Sequence, residues 1–220
     1  FFFCCFSTLT EQTKKLDTSF KFNFTQLFCV LLCWLAITSV QAQTNESTAA
    51  QEKIKVSGVK FKDHIKLAGA DLKLNGSGLR TKFFIDLYIA ALYLKEKSHN
   101  ATEIINADQE MMIQIHVISN LITSENLSKG TAEGFSKSTN NNTDTIQPHI
   151  DAFLEAFKEP IKIGDIFEFV YQPNIGITLL KNRKITKRIA SGLDFKRALF
   201  GIWLADRPAQ KSLKASMLGK

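Results

Sequence analysis

The chain has 220 residues, 45% hydrophobic and 22% charged, with a formal net charge of +7. This composition excludes a disordered or collagen-like chain and leaves room for one domain with a proper core. All four cysteines (Cys4, Cys5, Cys29 and Cys33) precede residue 43. The remainder therefore has no disulfide, thiolate metal site, iron–sulfur cluster or cysteine nucleophile.

Residues 27–40 form an uncharged, mostly apolar run, preceded by Lys14, Lys15 and Lys21 and followed by Val40-Gln41-Ala42. Basic, apolar and small-residue segments in that order read as a secretory signal over residues 1–42, cut after about Ala42. The run is shorter than the roughly 20 residues that cross a bilayer, so no stable membrane span is expected after cleavage. The first residue is Phe and the methionines are Met111, Met112 and Met217; residues 1 to about 20 read as an incomplete or misassigned start. An exported, cysteine-free domain must be held by packing alone, which suits a bacterial periplasm.

Residues 43–52 are polar and read as a flexible leader to a domain over 53–220. Ile54–Val56, Val59–Lys62 and Leu72–Leu74 alternate apolar and polar residues, the strand period. Asn75-Gly76-Ser77-Gly78 carries a strong turn signal. Phe83–Leu94 is aromatic, branched and nearly uncharged, and reads as a long central strand with one acid, Asp86. Ala101–Ala107 is a short helix, and Met111–Ile118 a strand. Thr123–Asn142 reads as a helix with Ser124 at its N-cap. From Asp144, the residues Ile146, Ile150, Phe153, Leu154 and Phe157 share one helical face, with Pro148 in the first turn. Ile166–Tyr171 and Ile175–Leu180 are strands, and Lys181–Lys184 is a tight turn. Ser191 opens a helix with Asp194 at the capping-box position, and a last helix carries Leu213, Met217 and Leu218. The sum is α+β, six or seven mostly antiparallel strands under one layer of helices.

The chain has no Walker A loop, dinucleotide fingerprint, His-Glu-x-x-His or Gly-x-Ser-x-Gly. His64, His99, His116 and His149 stand apart, so no metal site is expected, nor any cofactor. Lys181, Arg183, Lys184, Lys187 and Arg188 lack interleaved aromatics and read as a solvated turn, not a nucleic-acid surface.

The segment Leu72–Arg80 with its Gly76-x-Gly78-x-Arg80 pattern, the aromatic strand ending in Tyr93-Leu94, and the closing stretch Phe200–Pro208 running into Leu213–Gly219 together resemble the chalcone isomerase-like family, in its exported bacterial branch. The resemblance spans roughly residues 54–219. It implies an open-faced β-sandwich, with a long antiparallel sheet, a helical layer on one face and a ligand cleft between them. By the motif match, Arg80 is the arginine that orients substrate in the plant isomerases. The isomerases' threonine falls at Tyr88, their helix tyrosine and asparagine near Asn126 and Glu133, and their late serine or threonine near Gly201. Only the arginine is retained, which argues against efficient ring closure.

Arg80 with Tyr88 instead resembles the fatty-acid-binding relatives, where an arginine and a tyrosine hold a carboxylate at the cleft mouth. That implies a non-catalytic binder of a fatty acid or similar amphipathic carboxylate. Ile85, Leu87, Ile89, Ile115, Val117, Phe153, Phe157 and Trp203 are the expected apolar walls. The alternatives are an isomerase on another substrate, carried by Arg80, and an interaction domain with a closed cleft. The sequence does not give the oligomeric state.

Overall fold

The computed structural model describes residues 58–67 and 69–220. The leader, the signal segment and the Ile54–Val56 strand expectation lie outside them. Seven strands form one antiparallel sheet, each paired with its neighbour in sequence: β1 His64–Leu67, β2 Ala70–Lys82, β3 Ile85–Leu94, β4 Met111–Val117, β5 Ile166–Gln172, β6 Gly176–Lys181 and β7 Lys184–Ile189. The helices are α1 Ala101–Asn106, α2 Ser124–Ser138, α3 Gln147–Leu154, α4 Leu193–Leu204 and α5 Lys211–Met217, with a 3-10 turn Glu155–Phe157 after α3. No helix among the described residues is long and apolar enough to cross a membrane.

Strand alternation divides the apolar side chains between two faces. Tyr88, Ala90, Leu92 and Leu94 of β3 pack with Ile113 and Ile115 of β4 and Phe167 and Phe169 of β5 against the helices. Leu72, Ala91, Tyr93, Met112 and Val170 form a smaller core on the other face, flanked by Phe61, Ile65 and Leu67. The helix side is dominated by phenylalanine. Phe153 meets Phe135, Phe157, Phe169 and Phe195 at centroid distances of 5.2 to 6.1 Å, mostly edge-on or tilted. Such pairs each add about 0.5–1.5 kcal/mol beyond area burial.

The structure corrects several local expectations. Val59–Lys62 is not a strand; pairing begins at His64. Asn75–Gly78 is not a turn but the middle of β2. Its glycines answer to packing. A Cβ on Gly76 would lie 2.2 Å from the Ser216 carbonyl oxygen, and one on Gly78 would lie 2.7 Å from the Ser216 Cβ. The C-terminal helix α5 thus rests directly on strand backbone. Asn75 is the extra residue of a bulge between the Leu74 and Gly76 pairings. Its buried amide donates to the Ser98 and Met217 carbonyls at 3.0 and 2.9 Å and accepts from Ser98 N–H at 2.9 Å.

The chain reverses instead at Phe83-Phe84, both at positive φ, in a two-residue hairpin closed by the Lys82–Ile85 pair. Lys184–Ile189, where the basic cluster reads as a solvated turn, is the edge strand β7. The N-cap of α2 is Thr123, whose hydroxyl accepts from Asn126 N–H at 3.1 Å, while the Ser124 hydroxyl donates to the Glu159 carbonyl at 2.7 Å. The Ser191–Asp194 capping box does not form. Gly192 is the cap, and Ser191 is packed against Gly176, where a Cβ would lie 2.5 Å from the Ser191 nitrogen.

Candidate functional site

Arg80 lies on β2 and Tyr88 on β3, directly opposite each other across the hairpin. They are cross-strand partners of one hairpin. The ladder then slips: Arg80 pairs with Tyr88, Thr81 with Asp86, and Leu87 is the unpaired residue of a bulge. Bulges re-aim side chains beside sites. The backbone N–H of Thr81, next to the slip, donates to Gln210 Oε1 at 2.9 Å. The same oxygen accepts from Arg80 Nη1 at 3.1 Å, and Nη1 also reaches the Thr81 carbonyl at 2.9 Å. Gln210 is the N-cap residue of α5, and its Nε2 donates to Ser212 Oγ at 2.7 Å. One side chain therefore ties the bulge, the guanidinium and the last helix together.

Tyr88 is buried, and its oxygen accepts the indole N–H of Trp203 at 3.0 Å. Burial pushes the phenol above its ordinary pKa, opposed by the hydrogen bond from Trp203 and by the Arg80 charge. The group stays protonated at neutral pH and acts as a donor, not as a base.

Both residues line a cavity of 450 Å³ between β3, α2 and α4, within the usual size range for small-molecule sites, roughly 300–1,000 Å³. Leu87, Ile115, Phe169, Ile202 and Trp203 supply apolar wall, and the Phe169 and Trp203 rings stack at 5.9 Å. The polar lining is strongly basic: Arg80, Lys82, Lys129, Lys137 and Arg207 against one carboxylate, Glu133. That balance favours an anion.

Of the expected walls, Ile85, Leu87, Ile115 and Trp203 line the cavity. The others do not. Ile89 faces the opposite side with Leu79, while Val117, Phe153 and Phe157 are core. Asn126 and Glu133, placed by register on the isomerases' helix residues, do line it. Gly201 instead packs under Ser138, whose Cβ is 2.9 Å from where a Gly201 Cβ would be. Asp86 accepts from the Thr81 hydroxyl at 2.8 Å. Sequence reasoning missed Gln210, Phe169, Ile202 and the basic rim. Lys129 and Lys137 look like ordinary solvated helix charges until α2 is laid over the sheet.

His116, in β4, lies against Gln114 Oε1 at 3.2 Å and edge-on to Phe61. No cluster of potential metal ligands occurs among the described residues.

No curated protein matches the chain. The crystal structure of a fatty-acid binding protein from Arabidopsis thaliana is similar in fold, with a TM-score of 0.59 and 16% identity over 74% of this chain and 92% of that one. A family described as chalcone isomerase-like matches residues 52–219, and with that span, this sheet and this helical layer, the chain belongs to it.

Proposed function

We propose that the protein is a non-catalytic binder of a fatty acid or similar amphipathic carboxylate. The observation that carries this reading is the pairing of Arg80 with Tyr88 at a cavity that is basic at its rim and apolar within. A carboxylate needs a charged fork and a hydroxyl donor. Arg80 has its Nη1 fixed by Gln210, which leaves the rest of the fork for Tyr88 and a ligand. Tyr88 has its oxygen occupied by Trp203 and its own hydrogen to give. An acyl chain would lie along Leu87, Ile115 and Phe169. The Arabidopsis protein of similar fold is itself named for fatty-acid binding.

The test is native mass spectrometry of the purified protein, followed by solvent extraction and titration with a fluorescent fatty acid. Arg80→Ala should lose at least about tenfold in affinity, since hydrogen bonds to charged groups are worth about 1.5–3 kcal/mol, while the variant stays folded and loses only the guanidinium's bonds to Gln210 and the Thr81 carbonyl. Equal affinity in the variant would remove the reading. The basic–apolar–small order of residues 14–42 supports export to a periplasm. Fractionation together with the N-terminal residue of the mature protein checks that part.

A further inference from the structure

We propose that the sheet end carrying the Phe83-Phe84 hairpin docks on an anionic lipid surface. Phe83 is 82% exposed and Phe84 fully exposed. Folding does not account for them. Both sit at positive φ, 50° and 64°, a region that bulky residues disfavour. The β6–β7 hairpin shows the alternative, because Asn182 and Arg183 adopt nearly the same angles, 52° and 65°, with the asparagine such turns prefer. An aromatic pair at the first tip is therefore strained, solvated and unused by the core.

The surroundings select the occupant. The pairings Tyr88–Val117, His116–Ile166 and Phe167–Lys181 put the 83–84, 118–123, 158–165 and 182–183 connections at one end of the sheet. Exposed Leu121 and Ile163 belong to those connections. Lys82, Lys162, Arg183 and Lys184 stand among them. Of the acids there, Asp165 is paired with Lys181 at 3.2 Å and Asp86 accepts from Thr81, which leaves exposed Glu125 and Glu159 against the four cations. Aromatic side chains ringed by cations suit the boundary between acyl chains and anionic headgroups. Phe83 and Leu121 also line the cavity, so the docked surface would bring the cavity against the lipid. Docking does not require that the cavity hold a fatty acid.

The experiment is flotation with vesicles of phosphatidylcholine alone and of phosphatidylcholine and phosphatidylglycerol in equal parts. The protein should float with the anionic vesicles, less so as salt is raised. Phe84→Gly suits the turn better and should keep or raise the melting temperature. It should lower vesicle binding by about tenfold or more, the value of one buried phenylalanine; Phe84→Met should retain most of it. Phe84 is not a cavity residue, so fatty-acid titration of the Phe84→Gly variant without vesicles reports the carrier reading separately. Three outcomes would overturn the proposal: no flotation with anionic vesicles, equal flotation of Phe84→Gly, or a wild-type dimer that Phe84→Gly dissociates.

Discussion

Trp203 on α4 donates its indole N–H to the hydroxyl of Tyr88 on β3, at 3.0 Å, between two buried side chains. The bond joins the helical layer to the sheet at the cavity floor. It also fixes what the tyrosine can do, because an oxygen that accepts from the indole presents its hydrogen elsewhere.

Tyr88→Phe should therefore have two separable effects. It removes one donor from the ligand and should weaken fatty-acid binding by roughly 5- to 30-fold. It also leaves the Trp203 N–H buried without an acceptor, at a cost of about 1–3 kcal/mol. In a Tyr88→Phe/Trp203→Phe double variant the stability loss should shrink while the affinity loss persists. Urea unfolding and fluorescent fatty-acid titration read the two. If the double variant recovers affinity as well, Tyr88 does not touch the ligand.

Gln210 is a positioning residue. Gln210→Ala leaves Arg80 Nη1 held by the Thr81 carbonyl alone and leaves the Thr81 N–H at the bulge without its Gln210 acceptor. The expected result is a several-fold loss of fatty-acid affinity and about 1–2 kcal/mol of stability. In an Arg80→Ala background the affinity effect should vanish and the stability effect remain. Additive affinity losses in that cycle would show that Gln210 acts on the ligand independently of the guanidinium.

The helix faces and most strands were legible because burial imposes a period. Ile146, Ile150, Phe153 and Phe157 are buried as their spacing requires. What failed was local chemistry overruled by contacts distant in sequence. Asn75–Gly78 has turn composition, yet glycine there serves the close approach of α5, more than 130 residues later. Phe83-Phe84 has strand composition and forms the turn. Arg80 and Tyr88 were named from the family resemblance, which carried no sign that they pair across a hairpin. Gln210 carried no signal at all, since its role exists only once α5 meets β2.

The glycine contacts give a direct check. Gly76→Ala would drive a Cβ to 2.2 Å from a carbonyl oxygen, which backbone must move to relieve, and should cost about 1–3 kcal/mol or more. Gly78→Ala meets a side chain, Ser216 Cβ, so Ser216→Gly should rescue Gly78→Ala in part but not Gly76→Ala. Chemical denaturation of the four variants decides it. Equal rescue of both would mean that α5 shifts as a unit.

Lys196 on α4 gives the pH-dependent prediction. Its side chain is fully buried, and Nζ donates to the carbonyls of Ile104, Ile105 and Ala107 at 2.7, 2.8 and 2.8 Å. It caps the C-terminal end of α1, which has no basic residue of its own in its last turn. Burial pushes the ammonium down to about 7, helped by repulsion from Arg197 and opposed by Asp108. The unfolded chain holds this proton up to its ordinary value near 10.4, whereas the native chain releases it near 7. Between those values the unfolded state binds more protons, so the lysine's contribution to stability rises with pH, by at most about 1.4 kcal/mol per unit. It is lost as pH falls through 7. Lys196→Met keeps the stem and removes the titration. Its unfolding free energy should fall further below wild type as pH rises from 7 to 9, in paired urea melts. A gap that stays constant over that range would show that the three carbonyls hold the ammonium charged throughout.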